Sequence, residues 1–309
     1  MSPNLPDDKT RREVEAATWR LLRDAGVTEP PVLVSVIIDH LELHRQFYDL
    51  QSPRFLDRAK HRIIVHGRKL AEILHRIRLA AVLLYDEDRI VLDAQLPTIK
   101  HDWSTCHEVV HRVLPWHKTY FRGDTAQTLD PDWHELLEAE ANYGASELMF
   151  CGPVFRREAH DLVPGWSRIE DLAKRYGKSK TATLRRFVEH GPDRPMVTLV
   201  STPYWEEKPS DQANRWRHYV PSPRFAQRFS CAEPDVLLRL VDLHSRQRIG
   251  GPVADFTCVL HDDDGCQHEF HAESFFNRHY ILSLFVQLES RRIRRILVPH
   301  GVSLRRAPR

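Results

Sequence analysis

His107-Glu108-Val109-Val110-His111 is the stretch that decides how this chain is read. If it is helical, the two histidines stand about 400° and roughly 6 Å apart, so both imidazoles leave one face and can converge on one ion. Glu108 lies about 100° further round, where its carboxylate reaches a water on that ion instead of the ion itself. Two imidazole ligands, a carboxylate base and a metal that acidifies water form the arrangement of zinc peptidases. The stretch also carries Val109 and Val110 and runs on to Val113 and Leu114, so its helix has an apolar side to bury.

The third ligand is sought in the next helix. The segment Asp132 to Met149 follows Pro131, a residue suited to a first helical turn. Within it Glu138, Ala141 or Asn142, and Ala145 share one face at spacings of three and four. The small residues let this helix approach the first closely. Glu138 then completes a His-His-Glu set, and Asn142, one turn on, can hydrogen-bond a ligand. Glu140 points elsewhere and reads as a solvated carboxylate. For the hydrogen bond that steadies a tetrahedral oxyanion, His117, Tyr120, Tyr143 and His160 are all available, and the sequence does not choose among them. Cys106, just before the first ligand, turns away from the site and reads as a packed small residue.

Upstream, residues 9–25 form an amphipathic helix closed by Gly26, and Val32 to His44 is a short helix feeding a strand through Phe47. A longer helix is expected from Ser52 to about Ile77. Arg78–Tyr85 and Arg89–Asp93, separated by Asp86-Glu87-Asp88, read as a hairpin. The expected HExxH helix covers Ser104 to Val113 and stops before Pro115.

These residues resemble the ImmA/IrrE-type metallopeptidases. His107-Glu-Val-Val-His111 followed by Glu138-Ala-Glu-Ala-Asn142 is similar to that family's HExxH and E-x-E-A-N helices. The strand and loop Arg89 to Pro97 and the segment Ile169 to Ser179 resemble flanking family elements, so the likeness spans roughly residues 30–190. Gly144, where the family usually has Phe, and Met149-Phe150-Cys151, where it closes with Leu-Met-Pro, depart from the pattern without touching the ligands. The resemblance implies a Zn2+ held by His107, His111 and Glu138, with Glu108 as general base and then proton donor. It also implies a regulatory peptidase whose protein partner is a helix-turn-helix transcriptional repressor, of the kind met in stress responses.

Beyond the site, Trp166 to His190 is a helical pair with Gly177 at its turn, and seven Lys/Arg against three Asp/Glu between Ser167 and His190 give it a basic cast. Ile169 to Phe187 would pass as a DNA-binding helix-turn-helix, but a helical hairpin packed beside the cleft is preferred, so no specific DNA binding is expected. The alternative function is a DNA- or repressor-binding regulator whose zinc is chiefly structural. Arg194 to Arg224 reads as a connector, Phe256–His261 and Cys266–His271 as a hairpin, and Ile281–Leu288 and Ile293–Pro299 as further packed elements. In a strand His268 and His271 diverge, which argues against a second zinc site with Cys258 and Cys266. The last residues, Arg291 to Arg309, hold seven arginines and no acid and read as a tail.

Together these readings predict an α+β chain. A zincin-like peptidase domain takes residues 1–160, a helix-turn-helix-like unit 161–193, and a C-terminal α/β, sensor-like domain 194–309. A net charge of +2 gives no global pull toward nucleic acid or lipid. Five scattered cysteines fit reduced thiols, and no apolar run approaches membrane-spanning length, so a soluble cytoplasmic protein is expected.

Overall fold

The computed structural model describes residues 6–48, 81–84, 88–122, 131–206 and 215–288, and the chain is α+β over them. The helix expected from Ser52, the tip of the Asp86-Glu87 turn and the arginine-rich tail lie outside the described residues.

Helix α1 (Asp8–Asp24) starts where the Asp7 carboxylate accepts the Lys9 and Thr10 N–H groups, which satisfies two of the unpaired donors of a helix start. Helix α2 (Val34–His40) leads into β1 (His44–Tyr48), which lies parallel to β3 (Arg89–Asp93). Strand β2 (Ala81–Leu84) pairs antiparallel with β3, with Leu83 opposite Ile90, so the strand pairing expected there forms. The resulting sheet has the order β1-β3-β2. Ile90 and Leu92 turn into the core shared with α3 (His101–Val113). That helix begins three residues before the expected Ser104, because a 3-10 turn at Thr98–Lys100 runs straight into it.

Pro115 ends α3 and at once opens α4 (Pro115–Arg122), an element the sequence reading did not anticipate. Proline both stops a helix and suits the first turn of the next. Helix α5 (Pro131–Met149) packs along α3 and α1, and α6 (Gly152–His160) follows it. The expected helical pair is α7 (Trp166–Tyr176) and α8 (Lys180–His190), joined through Gly177 at φ +63°, a conformation that favours glycine.

A five-stranded antiparallel sheet completes the fold, in the order β5-β4-β8-β7-β6. Its strands are β4 (Met196–Ser201), β5 (Trp216–Pro221), β6 (Gly251–His261), β7 (Gln267–Phe276) and β8 (Ile281–Gln287). One face, with Met196, Val200, Leu282 and Leu284, joins the core of the N-terminal helices. The other, with Val197, Leu199 and Phe285, is covered by Phe225 and Phe229 of the α9 region (Pro223–Arg228) and by Leu237 and Val241 of α10 (Pro234–His244). Strand β4 is therefore buried on both faces, so Met-Val-Thr-Leu-Val-Ser lacks the alternation that marks a half-buried strand. This corrects the reading of Arg194–Arg224 as a connector.

A buried polar cluster ties α1, α5, α6 and α8 together. The Glu147 carboxylate, fully buried, receives Arg186, Arg156 at 2.7 Å and the Trp19 indole N–H at 2.8 Å. Arg186 is itself 1% exposed, its charge spent on Glu147. Helix α8 packs against α6 and α7 and against strands β4 and β5. The hairpin strands keep the expected divergence of histidines, with His268 held by Asp262 and His271 by Asp255.

Candidate metal centre

Helix α3 delivers His107 and His111 one turn apart, and α5 brings Glu138 across to them. His107 Nε2 lies 3.1 Å from His111 Nε2 and 3.2 Å from Glu138 Oε2, and His111 Nε2 lies 3.5 Å from Glu138 Oε1. Four-coordinate zinc with bonds of about 2.0–2.1 Å would set its ligand atoms about 3.3 Å apart at tetrahedral angles. The edge between the imidazoles and the edges from each imidazole to its nearer Glu138 oxygen lie close to that value, so the donor set suits a zinc ion in chemistry and spacing. Among the described residues this is the one group of three or more His, Cys, Asp or Glu that could hold a metal, and it offers three donors, not four.

Close approach of the helices makes this convergence possible. Gly144 of α5 faces Val110 of α3, and a Cβ there would stand 2.8 Å from both Val110 methyls and 3.0 Å from a Val14 methyl. The sequence pointed to Ala141 and Ala145 as the small residues; both are fully buried, and Gly144 between them leaves no room for a Cβ.

Exposure is graded across the site. The His111 side chain is 5% exposed, His107 14% and Glu138 38%, so the donors open to solvent on the α5 side. Glu108 is buried beside them and accepts a hydrogen bond from the Leu83 N–H of strand β2. Burial pushes its carboxyl up to about 7 against the opposing pull of His107. Burial likewise holds His111 down at about 4, keeping its imidazole neutral and able to donate a lone pair. Burial works upward on Glu138, but hydrogen bonds to His107 and His111 outweigh it and keep that carboxyl well below the usual range.

Asn142 stands where the sequence put it, with Oδ1 3.2 Å from His107 Nδ1. Glu140 does not. It is 3% exposed and accepts from Trp116 Nε1 at 2.6 Å and from His117 Nε2 at 2.9 Å. The reading of Glu140 as solvated fails because α4 folds back over that face of α5. Of the four oxyanion candidates, His117 is fully buried and engaged with Glu140 and His111. The Tyr143 hydroxyl donates to Glu15 at 2.5 Å and meets Arg156, and His160 pairs with Asp161 on the exposed surface. The Tyr120 side chain lies outside the described residues. Cys106 is fully buried in the core, as expected of a packed residue, and burial lifts its thiol to about 12.

Residues 61–188 match the model of the IrrE N-terminal-like domain, Peptidase_M78. No curated protein matches the chain. Among solved structures, a Mycobacterium tuberculosis transcriptional regulator is similar over 96% of each chain, with a TM-score of 0.51 and 12% identity, a likeness of fold alone. No helix among the described residues is long and apolar enough to cross a membrane.

Proposed function

We propose that the chain is a zinc-dependent endopeptidase of regulatory type, a reading supported by the match of residues 61–188 to the IrrE N-terminal-like domain. The observation that carries this reading is the convergence of His107, His111 and Glu138 at edges of 3.1, 3.2 and 3.5 Å beside the buried Glu108. When bound, zinc supplies a Lewis acid that lowers the pKa of its water to about 7 and polarises a carbonyl. The chain's own residues do the rest. Glu108, lifted toward neutrality by burial, takes a proton from the attacking water and later returns it to the departing amine. The Leu83 N–H holds that carboxylate in place, and Asn142 orients His107. Among the described residues three donors converge, where a structural site commonly closes with four, and this favours catalysis over a purely architectural metal.

The substrate in this reading is a protein, a helix-turn-helix transcriptional repressor, which would make the peptidase a switch for transcription in stress responses. Burial of Arg186 speaks against the competing reading of α7–α8 as a DNA reader, so binding to duplex is expected to be weak and unselective. The test is incubation of the zinc-loaded protein with the repressors encoded beside its gene, followed by mass spectrometry. Wild type should cleave at a defined bond, and Glu108→Gln should keep fold and zinc but lose cleavage. Undiminished cleavage by Glu108→Gln would remove Glu108 from the mechanism.

A further inference from the structure

A row of buried polar groups runs from the metal centre into the protein. His111 Nδ1 lies 2.8 Å from His117 Nδ1, and His117 Nε2 lies 2.9 Å from Glu140 Oε2. The same oxygen receives the Trp116 indole N–H at 2.6 Å. His117 is fully buried and Glu140 nearly so, and they come from different helices, α4 and α5. Nothing in the zinc-peptidase reading requires this pair, yet two buried polar side chains are spent on it.

Resting on that reading, we propose that His117, backed by Glu140 and Trp116, is a positioning residue that fixes His111 in the one tautomer able to bind zinc. The hydrogen positions follow in sequence from the far end. An indole nitrogen can only donate, so Glu140 Oε2 is an acceptor and carries no hydrogen of its own. The His117 Nε2 facing that oxygen is therefore the N–H. A neutral imidazole has a single N–H, which leaves His117 Nδ1 bare. The 2.8 Å contact between the two Nδ1 atoms needs one hydrogen, so it sits on His111. His111 Nε2 is then a bare lone pair, aimed where His107 Nε2 and Glu138 also point. A carboxylate behind a chain of N–H donors also draws positive charge from the ligand ring and makes it a better donor.

The two ligand histidines are thus steadied by unlike means. His107 leans on the Asn142 amide, near the open side of the site, and His111 on a buried imidazole and carboxylate. The deeper ligand has the stronger partner.

The test uses the full chain and zinc alone, with affinity read by competition against a chelator. His117→Phe keeps the ring but removes the acceptor and should weaken zinc about 10–100-fold. His117→Asn, whose Oδ1 replaces Nδ1 as acceptor, should recover much of the loss, a rescue that a purely space-filling role would not show. In wild type loaded with zinc, 15N spectra of the histidines should find the hydrogen of His117 on Nε2 and that of His111 on Nδ1. These spectra decide the matter without any variant should His117→Phe fail to fold. A folded His117→Phe that binds zinc as tightly as wild type, or a His117 hydrogen found on Nδ1, overturns the proposal. His111→Ala separates the positioning role from the metal assignment. If it loses zinc while His117→Phe does not, the positioning role fails alone; if it keeps zinc, the metal assignment fails and the positioning role with it.

Discussion

Gly144→Ala sets two opposing effects against each other at the contact that brings Glu138 to the histidines. In a helix interior Ala is favoured over Gly by about 0.8–1.0 kcal/mol, so a site on an open face would be stabilised. Here the new methyl would lie 2.8 Å from both Val110 methyls and 3.0 Å from a Val14 methyl, against an ordinary contact of 3.4 Å or more. Because both Val110 methyls are equally close, rotating that side chain exchanges one clash for another, and a β-branched residue in a helix has little rotamer freedom. The helices must therefore part by some tenths of an ångström, at a cost of about 1–3 kcal/mol for an overpacked core. Overpacking wins, and net destabilisation should be about 1 kcal/mol.

The same displacement bears on the metal site, since Glu138 rides on the helix that moves and ligand distances tolerate only about 0.2 Å. Urea unfolding of the metal-free protein reads the first effect, and chelator competition for zinc the second. Gly144→Ala should lower stability and weaken zinc together. A variant more stable than wild type, with unchanged zinc affinity, would show that α3 and α5 are not in tight contact at this point.

Two further perturbations probe the buried polar cluster. Arg186→Met leaves Glu147 buried with only Arg156 and the Trp19 indole, so unfolding should become easier by about 3 kcal/mol, the lower end for a broken buried pair; a loss below about 1 kcal/mol would mean the pair contributes little. Acid should destabilise the fold from about pH 6.5 downward, because burial and then Arg186 hold His190 well below its usual value of 6.5, so the unfolded chain binds a proton the folded one refuses. Below pH 4.5 Glu147 adds to the loss, since burial opposes its charge but Arg186 and Arg156 overcome it and keep its folded value low. Glu189, raised by burial, works the other way above 4.5. Unfolding by urea at pH 6.5, 5.5 and 4.5 should show a slope reduced in His190→Gln by up to about 1.4 kcal/mol per pH unit, and an unchanged slope would place the titration elsewhere.

The parts of the site that are local in sequence were legible from it. His107, Glu108 and His111 need only the pitch of one helix, and Asn142 follows from Glu138 by one turn. Bringing Glu138 to the histidines required guessing that two helices pack, for which the small residues of α5 were sufficient warning. The pairing of His117 with Glu140 was missed because it depends on how α4 returns after Pro115, which the sequence shows as a stop. The available signal was that a second Glu follows Glu138 by two residues while a third His follows His111 by six. The burial of Arg186 was not legible, because charge on a helix is solvated unless a partner is known, and Glu147 lies 39 residues away. Strand β4 escaped because a strand covered on both faces has no alternation to see.

Whether His107, His111 and Glu138 hold one zinc ion is read by elemental analysis of the protein purified without added metal. Wild type should carry close to one zinc per chain, and folded His111→Ala or Glu138→Ala little. Equal zinc in wild type and both variants would contradict this assignment.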